Sequence, residues 1–283
     1  MNRFFTLATV VATSGLLFAG ALAGAASASA SVAASRPQPG GTIIRTPGNS
    51  GLPTISENWS GYAATSAKKF NFVSSQFVQP KVSCPGKANQ FMSNWVGLDG
   101  FTTDTVEQTG TLGFCGGKKH TTPQYEAWYE MFPAGSVNVF KVKPGDIIDT
   151  AVKFTGGKFN ISIGDVNSGK HFAISKGCAS CERASAEWII ERPALCNNTF
   201  TKCFITALAD YHTLTMGQDR AQVAGGKVKG IGAFNNVPIF MVNPVKSGGF
   251  ISLDQVSALS GSSFEAQWLR SGSTVPITLG PRR

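Results

Sequence analysis

Carboxylates are scarce in this chain of 283 residues, which has 16 Asp and Glu against 25 Lys and Arg. The formal net charge is +9, and charged residues make up only 14% of the sequence. The basic residues are scattered, since Lys68-Lys69 and Lys118-Lys119 are pairs and no longer cluster occurs. A nucleic-acid interface needs a clustered basic stripe. The sequence therefore disfavours a nucleic-acid partner, and a mildly basic, solvated surface accounts for the charge.

Several sequence motifs of known active sites are also missing. The chain has no Gly-x-Ser-x-Gly elbow, no phosphate-cradling glycine loop, and no Asp-Thr-Gly or Asp-Ser-Gly triplet of the kind that aspartic peptidases use. The three histidines, His120, His171 and His212, lack metal-ligand spacing, and nothing in the sequence supports a Ser/His/Asp site. Carboxylates and amides remain as the candidate catalytic groups, with no cofactor and no metal expected.

Sustained helical periodicity is absent as well. Short alternating segments separated by turns predict many strands, and this favours an all-β, antiparallel sandwich or barrel. The segment 204–214 is read as a strand but is ambiguous towards helix. The predicted strands are 70–78, 91–98, 105–114, 124–132, 147–154, 159–166, 171–175, 204–214, 238–242 and 263–269.

The N-terminus has the pattern of a secretory signal peptide over residues 1–30. Arg3 precedes an apolar run at 7–23, and two Ala-Ser-Ala sequences at 26–30 fit the cleavage pattern. A retained membrane anchor is the alternative, but the run is rich in small residues and no later segment is long and apolar enough to span a bilayer. We therefore expect a secreted protein, free of the membrane after signal removal.

The remaining chain divides by composition. Residues 31–55 are rich in Pro, Gly, Ser and Thr, which indicates a linker, a mature arm or a short pro-segment. Strand-like sequence then continues without a second boundary, so we expect one domain at 56–270 and a C-terminal tail at 271–283. A monomer is the default for a secreted hydrolase of this size.

Six cysteines follow the leader, and an even number in an exported chain predicts disulfides. Local pairing is our expectation among fifteen possibilities, and half a zinc site at the Cys-x-x-Cys of 178–181 is the alternative. The expected pairs are Cys84–Cys115, Cys178–Cys181 and Cys196–Cys203.

The stretch 185–193, Ser-Ala-Glu-Trp-Ile-Ile-Glu-Arg-Pro, alternates as a strand. Trp188 falls on one face with apolar neighbours, whereas Glu187 and Glu191 share the other face. Two of the few carboxylates thus stand together, either lining a cleft or simply solvated on an amphipathic strand.

Four sequence blocks resemble, in order, the signature blocks of the glutamic peptidases, the eqolisin family. They are Trp95-Val96-Gly97-Leu98-Asp99-Gly100, Gln108-Thr109-Gly110, Tyr125-Glu126-Ala127-Trp128-Tyr129-Glu130 and Ala186-Glu187-Trp188-Ile189-Ile190-Glu191. Asn58-Trp59-Ser60-Gly61 resembles the family's opening block. The resemblance implies an antiparallel two-sheet β-sandwich, a concanavalin-like jelly roll whose concave cleft binds an extended peptide.

The same resemblance implies a catalytic pair, Gln108 and Glu187, and a secreted endopeptidase that works at acidic pH on protein substrates. The implied substrate-binding residues are Trp59, Trp95, Asp99, Trp128 and Glu130. Chemistry agrees with the pair, because a carboxylate can take a proton from water and return it, and a carboxamide can donate to an oxyanion. Glu191 could replace Glu187 as base, but Glu187 matches the family position and Arg192-Pro193 places Glu191 near the strand end.

Two other functions remain open at this point. A β-sandwich glycoside hydrolase would use Glu187 and Glu130 as acid and nucleophile, with the carboxyls about 5–5.5 Å apart if it retains configuration, and would need no Gln108. A secreted carbohydrate- or peptide-binding module would bind equally well after Glu187→Gln.

Overall fold

The computed structural model describes residues 43–44, 54–197 and 202–277. The predicted signal peptide, almost all of 31–55 and the end of the C-terminal tail lie outside these residues. The described residues are mainly β-strands, with one short 3-10 helix at Ile231–Ala233 and no helix long and apolar enough to cross a membrane. The strands are β1 (Ile43–Ile44), β2 (Thr54–Ser56), β3 (Trp59–Thr65), β4 (Phe70–Val78), β5 (Gln90–Leu98), β6 (Val106–Gly116), β7 (Thr122–Phe132), β8 (Val137–Lys141), β9 (Ile147–Thr155), β10 (Lys158–Asp165), β11 (His171–Lys176), β12 (Ser185–Glu191), β13 (Ala194–Cys196), β14 (Cys203–Ile205), β15 (Ala207–Leu208), β16 (Thr213–Val223), β17 (Lys229–Gly230), β18 (Asn235–Pro244), β19 (Phe250–Ser252), β20 (Asp254–Val256), β21 (Phe264–Trp268) and β22 (Val275–Ile277).

Two large sheets form a β-sandwich, as expected. The main sheet has the order β1-β2-β18-β3-β12-β5-β6-β7-β8, and its central pairs are antiparallel. The second sheet has the order β11-β10-β9-β4-β16-β21-β20. A small third sheet, β13-β14-β22, lies beyond the end of β12.

The core lies between the two large sheets because strand alternation sends apolar side chains to the shared interior. Trp188 and Val96 enter this core from the main sheet, and Val73 and Val152 enter it from the second sheet. The Trp188 indole is fully buried, and its Nε1 donates to the carbonyl of Ser74 across the interior at 2.8 Å. The predicted inward face of the 185–193 stretch is confirmed.

The predicted strand at 204–214 is wrong. The chain instead forms β14 and β15, breaks, and starts the long β16 at Thr213. Successive backbone N–H groups of this segment bond to different parts of the fold, Thr206 to Pro193 and Ala207 to Asn89. His212 then has φ +59°, which ends extended structure. Tertiary contacts, which the local pattern does not carry, therefore divide this segment.

The three expected disulfides are present, joining Cys84 to Cys115, Cys178 to Cys181 and Cys196 to Cys203. The Cys178–Cys181 bridge closes the turn just before β12. Its sulfurs lie near Glu107, and these three residues could place a carboxylate and two sulfurs within 4.8 Å of one another. Because the two sulfurs are bonded to each other, they are not thiolates that could hold zinc.

Candidate active site

One level of the main sheet carries both predicted catalytic residues. In antiparallel pairs, directly opposed residues project from the same face, and the register here runs without interruption across five strands. From β3 to β7 the residues at this level are Ala63, Glu187, Gly97, Gln108 and Glu130. Glu187 and Gln108 are two strand spacings apart, about 10 Å between backbones, so their side chains can approach each other over the strand between.

Gly97 occupies the position between Glu187 and Gln108. A Cβ atom there would lie 3.0 Å from the Trp95 ring, 3.1 Å from Val106 Cγ1 and 3.2 Å from Gln108 Cβ. These distances are tight, and any side chain would also fill the space above the strand. Glycine at this position therefore lets Trp95, Val106 and Gln108 pack closely over the strand between Glu187 and Gln108.

The carboxamide of Gln108 has a defined orientation. Its Nε2 donates a 2.7 Å hydrogen bond to Oε2 of Glu130, which requires the NH2 group to point towards β7. One amide hydrogen satisfies this bond, so the second remains for another acceptor. Gln108 and Glu130 are 5% and 2% exposed, so the hydrogen bond is shielded from water.

Glu187 is fully buried. Burial raises the pKa of its carboxyl well above the ordinary value, and the nearby charges of Asp99 and Glu107 raise it further. The nearby Ser185 hydroxyl and the backbone of Phe101 oppose this rise. Glu187 therefore holds a proton more tightly than a solvated glutamate does.

Asp99 is also fully buried and does not present a free carboxylate. Its oxygens accept the backbone N–H groups of Glu182 at 2.9 Å, Arg183 at 2.6 Å and Ala184 at 2.7 Å. Its own N–H donates to the carbonyl of Ser185. Asp99 has φ +69° and follows β5, as the predicted Asp-Gly turn requires. Its contacts are thus with the turn that leads into β12.

Trp59 and Trp95 pack edge to face, with ring centroids 5.0 Å apart, on the face of the sheet that carries Glu187. Glu191 anchors them, since its Oε2 accepts the Trp95 Nε1–H at 2.7 Å and its Oε1 accepts Asn58 Nδ2–H at 3.3 Å. Burial raises the pKa of Glu191 to about 7, and these donors oppose the rise. Both Glu191 oxygens are thus engaged in holding side chains.

Trp128 lies on the same face, opposite Gly110 in the register of β6 and β7. A Cβ at Gly110 would lie 2.1 Å from the Asn94 carbonyl oxygen and 2.5 Å from Trp95 Cβ. The glycine of the Gln-Thr-Gly block therefore lets Trp95 press against β6. The three predicted tryptophans share one apolar cluster on the outer face of the main sheet.

Glu107 was missed in the sequence analysis. It precedes Gln108 on β6, so its side chain points to the opposite face, into the sandwich interior. It is fully buried, and burial together with the charge of Asp99 raises its pKa to about 9. An acidic residue at an inward position of an apolar strand is the signal that could have found it.

A Ser–His–Asp cluster also forms, away from this site. Ser83 Oγ lies 3.0 Å from His212 Nε2, and His212 Nδ1 lies 3.5 Å from Asp210 Oδ1. The His212 side chain is 60% exposed, and Ser83 and Asp210 also pair through their backbones. The cluster joins two surface segments.

A polar groove of about 450 Å³ lies on the outer face of the second sheet, away from Glu187. Ser74, Ala151 and Ser162 are among its lining residues, together with the charged Asp149 and Arg220.

Comparison with known proteins gives the family. A sequence model of the Peptidase A4 family matches residues 57–263. No curated protein sequence matches the chain. Among solved structures, scytalido-glutamic peptidase with a peptide-based transition-state analogue is 22% identical, with TM-score 0.64, covering 75% of this chain and 98% of that one. SCP-B of the eqolisin family, in complex with the tripeptide Ala-Ile-His, is 21% identical, with TM-score 0.62 and coverage of 75% and 98%.

Aspergilloglutamic peptidase from Aspergillus niger is 23% identical, with TM-score 0.50, covering 64% of this chain and 99% of that one. These likenesses agree in fold with the sandwich described above. The family match spans most of the chain. It includes all five residues that lie at the level of the proposed site, namely Ala63, Gly97, Gln108, Glu130 and Glu187. The chain therefore belongs to the Peptidase A4 family, the eqolisin family of glutamic peptidases, and is a glutamic endopeptidase that hydrolyses peptide bonds.

Proposed function

We propose that this peptidase is secreted, works at acidic pH, and uses Gln108 and Glu187 as its catalytic pair. The observation that carries the proposal is the register that sets Glu187 and Gln108 at one level of the sheet with only Gly97 between them. The solved structures of scytalido-glutamic peptidase with a peptide-based analogue and of SCP-B with a tripeptide support a peptide as the substrate.

Glu187 serves as general base and then as general acid. Its carboxylate takes a proton from the attacking water, and the resulting acid gives that proton to the departing amine. Both protonation states are needed in each cycle: a raised pKa favours the acid form that gives its proton to the departing amine, and at acidic pH the carboxyl must lose a proton before it can act as base. Burial supplies that raised pKa.

Gln108 stabilises the tetrahedral intermediate. Its hydrogen bond to Glu130 fixes the carboxamide, and the second N–H donates to the developing oxyanion. A preorganised donor of this kind contributes about 10²–10³ in rate. The same amide helps to orient the water, and Glu130 acts by holding it.

Glu191 is the weaker candidate for the base. Both of its oxygens accept hydrogen bonds from Asn58 and Trp95, so it holds the tryptophan pair in place. The two buried oxygens of Glu187 have no hydrogen-bond partner among the described residues, so this carboxyl is not committed to holding another side chain.

Buried carboxyls support work at acidic pH. Glu107, Glu187 and Glu191 are all buried on the two faces around the site and all have raised pKa values. Neutral carboxyls tolerate burial much better than carboxylates. Acid therefore favours the folded arrangement of this region. Secretion rests on the N-terminal sequence pattern alone.

The geometry disfavours the glycoside hydrolase alternative. Glu130 and Glu187 lie three strand spacings apart, about 14 Å between backbones, with Gln108 between them and bonded to Glu130. A retaining enzyme needs two carboxyls about 5–5.5 Å apart with no group between them.

The test is cleavage of a denatured protein by the purified secreted enzyme from about pH 2 to 7. Gln108→Ala and Glu187→Gln are measured beside the wild type, and circular dichroism checks each fold. We expect acid-favoured, pepstatin-insensitive cleavage that both variants reduce by at least about 10².

Ser83→Ala is the matched control, because Ser83 belongs to the Ser83–His212–Asp210 cluster away from the proposed site. Its activity should equal that of the wild type. Undiminished cleavage by folded Gln108→Ala would remove Gln108 from the mechanism. Cleavage lost in Ser83→Ala and kept in Glu187→Gln would move the chemistry to the Ser83 cluster.

A further inference from the structure

Glu107 and Asp99 form a pair of buried carboxyls on the interior side of the site. Glu107 lies in register with Leu98 and Met131, and Asp99 directly follows Leu98. The Asp99 carboxyl is a close neighbour of the Glu107 carboxyl, whose buried Oε2 has no hydrogen-bond donor among the described residues. Its Oε1 also lies 2.8 Å from Cys181 Sγ, but that sulfur is in a disulfide and has no proton to donate.

Two adjacent buried carboxyls cannot both be ionised cheaply, so one keeps a proton. Asp99 accepts three backbone N–H groups, which stabilise its carboxylate form. Glu107 has no comparable set of donors, and burial raises its pKa to about 9 with Asp99 adding to the rise. The proton therefore resides on Glu107, which donates it to Asp99.

Asp99 links this pair to the catalytic strand. Its carboxylate holds residues 182–184, and its N–H holds the carbonyl of Ser185, where β12 begins. Glu187 is two residues further along the same strand. The position of the Glu187 carboxyl is thus set by a turn that Asp99 fastens.

We propose that Glu107 is a positioning residue for the Gln108–Glu187 site, carrying the proton that lets Asp99 hold the 182–184 turn and so fixes the start of the Glu187 strand. This inference rests on the proposed catalytic pair. If Glu107 ionised, its charge would repel Asp99 and loosen the turn.

The other charged groups near Glu107 do not neutralise it. Asp99 and Glu187 are acidic, and no cation among the described residues contributes to its pKa. Arg183, on the neighbouring turn, places its guanidinium on Asn71 and over the Phe154 ring. An ionised Glu107 would therefore be an added negative charge beside two acidic residues.

Glu107→Leu and Glu107→Gln test the role, with Glu265→Gln, at an exposed position of β21, as the matched control. Leucine fills the space but cannot donate to Asp99, whereas the glutamine NH2 can. We expect Glu107→Leu to lower kcat about tenfold or more with KM within about threefold, and Glu107→Gln to restore kcat to within about threefold at acidic pH. Glu265→Gln should match the wild type.

Melting temperature against pH provides the second measurement. A carboxyl whose folded pKa lies above its unfolded value makes the folded state lose stability as pH rises between the two values. The Tm of the wild type should therefore fall between about pH 5 and 9 more steeply than that of Glu107→Gln. A neutral glutamine has no such dependence.

Equal kcat in Glu107→Leu and Glu107→Gln, in an active wild type, would overturn the positioning role, as would identical Tm slopes for wild type and Glu107→Gln. A wild type that cleaves no peptide, or an unaffected Glu187→Gln, would instead overturn the proposed function. The failures of the two proposals are thus distinguishable.

Discussion

Glu187 and Gln108 lie at the same level of the main sheet on strands that do not pair with each other, and Gly97 on the strand between them separates their side chains. Because Gly97 has no side chain, Trp95, Val106 and Gln108 can pack closely against the strand that lies between the two residues. The catalytic proposal therefore depends on a third residue that carries no functional group.

Gly97→Ala should reduce kcat/KM by at least about tenfold, since its Cβ would enter the space between the pair and press on Trp95, Val106 and Gln108 at 3.0–3.2 Å. Overpacking of this kind costs about 1–3 kcal/mol of stability. Steady-state kinetics with urea unfolding measures both. Gly164→Ala on the second sheet, where the nearest atom is 3.5 Å away, is the control. Unchanged kinetics in Gly97→Ala would show that the site does not need a residue without a side chain at this position.

Glu130→Leu should lower kcat by about 10–10² with a smaller change in KM, because the Gln108 carboxamide loses the acceptor that orients it. Glu130→Gln keeps an acceptor oxygen and should retain most of the activity. Stopped assays with a single peptide substrate separate kcat from KM. A fall in Glu130→Gln as large as in Glu130→Leu would mean that the carboxylate charge matters more than the hydrogen bond.

Folding stability should be highest in acid. Burial raises the pKa of Glu107 to about 9, of Asp219 to about 8, of Glu191 to about 7 and of Asp254 to about 6. The folded state then binds more protons than the unfolded state, so stability falls as pH rises from the ordinary carboxyl range to about 9. Asp165, whose pKa is lowered, acts in the opposite direction.

Calorimetric melting from pH 4 to 9 measures this trend. Asp219→Asn, which removes one titrating group far from Glu187, should flatten the decline. A Tm that rises towards neutral pH would contradict the prediction.

Arg192→Met should destabilise the fold by about 3 kcal/mol or more, because buried acceptors would lose their donors. Arg192 is fully buried and donates to the carbonyl of Glu57 at 2.6 Å, to Asn243 Oδ1 at 2.9 Å and to the carbonyl of Ser273 at 2.8 Å. Arg192→Lys should retain only part of the stability that Arg192→Met loses, since the lysine ammonium lacks the planar, forked set of donors of a guanidinium. Urea denaturation measures the free energy of unfolding, with Arg270→Lys at an exposed position as the control. A loss below about 1 kcal/mol in Arg192→Met would contradict the prediction.

The sequence predicted the strands with clear alternation well. Phe70–Val78 has the predicted bounds, and the two faces of β12 are as expected, because period-2 patterning reflects a single buried face. The break within 204–214 escaped prediction, since its hydrogen-bond partners come from distant segments. The local sequence predicted Asp99 as a turn residue, but it did not predict that the Asp99 carboxylate accepts hydrogen bonds from the backbone of residues 182–184. Glu107 escaped because its position in the sequence gives no sign that it lies beside Asp99 at the end of the neighbouring strand.

The order of the main sheet also determines how much of the chain must be synthesised before the sheet can be complete. In the sheet, β12 lies between β3 and β5. In the sequence, it begins more than a hundred residues after β3 ends and nearly ninety residues after β5 ends. A nascent or truncated chain that stops before Ser185 has no strand to fill this gap and presents two bare edges that invite pairing with other chains. The proposed Gln108–Glu187 site therefore cannot be complete until the chain has been made beyond β12.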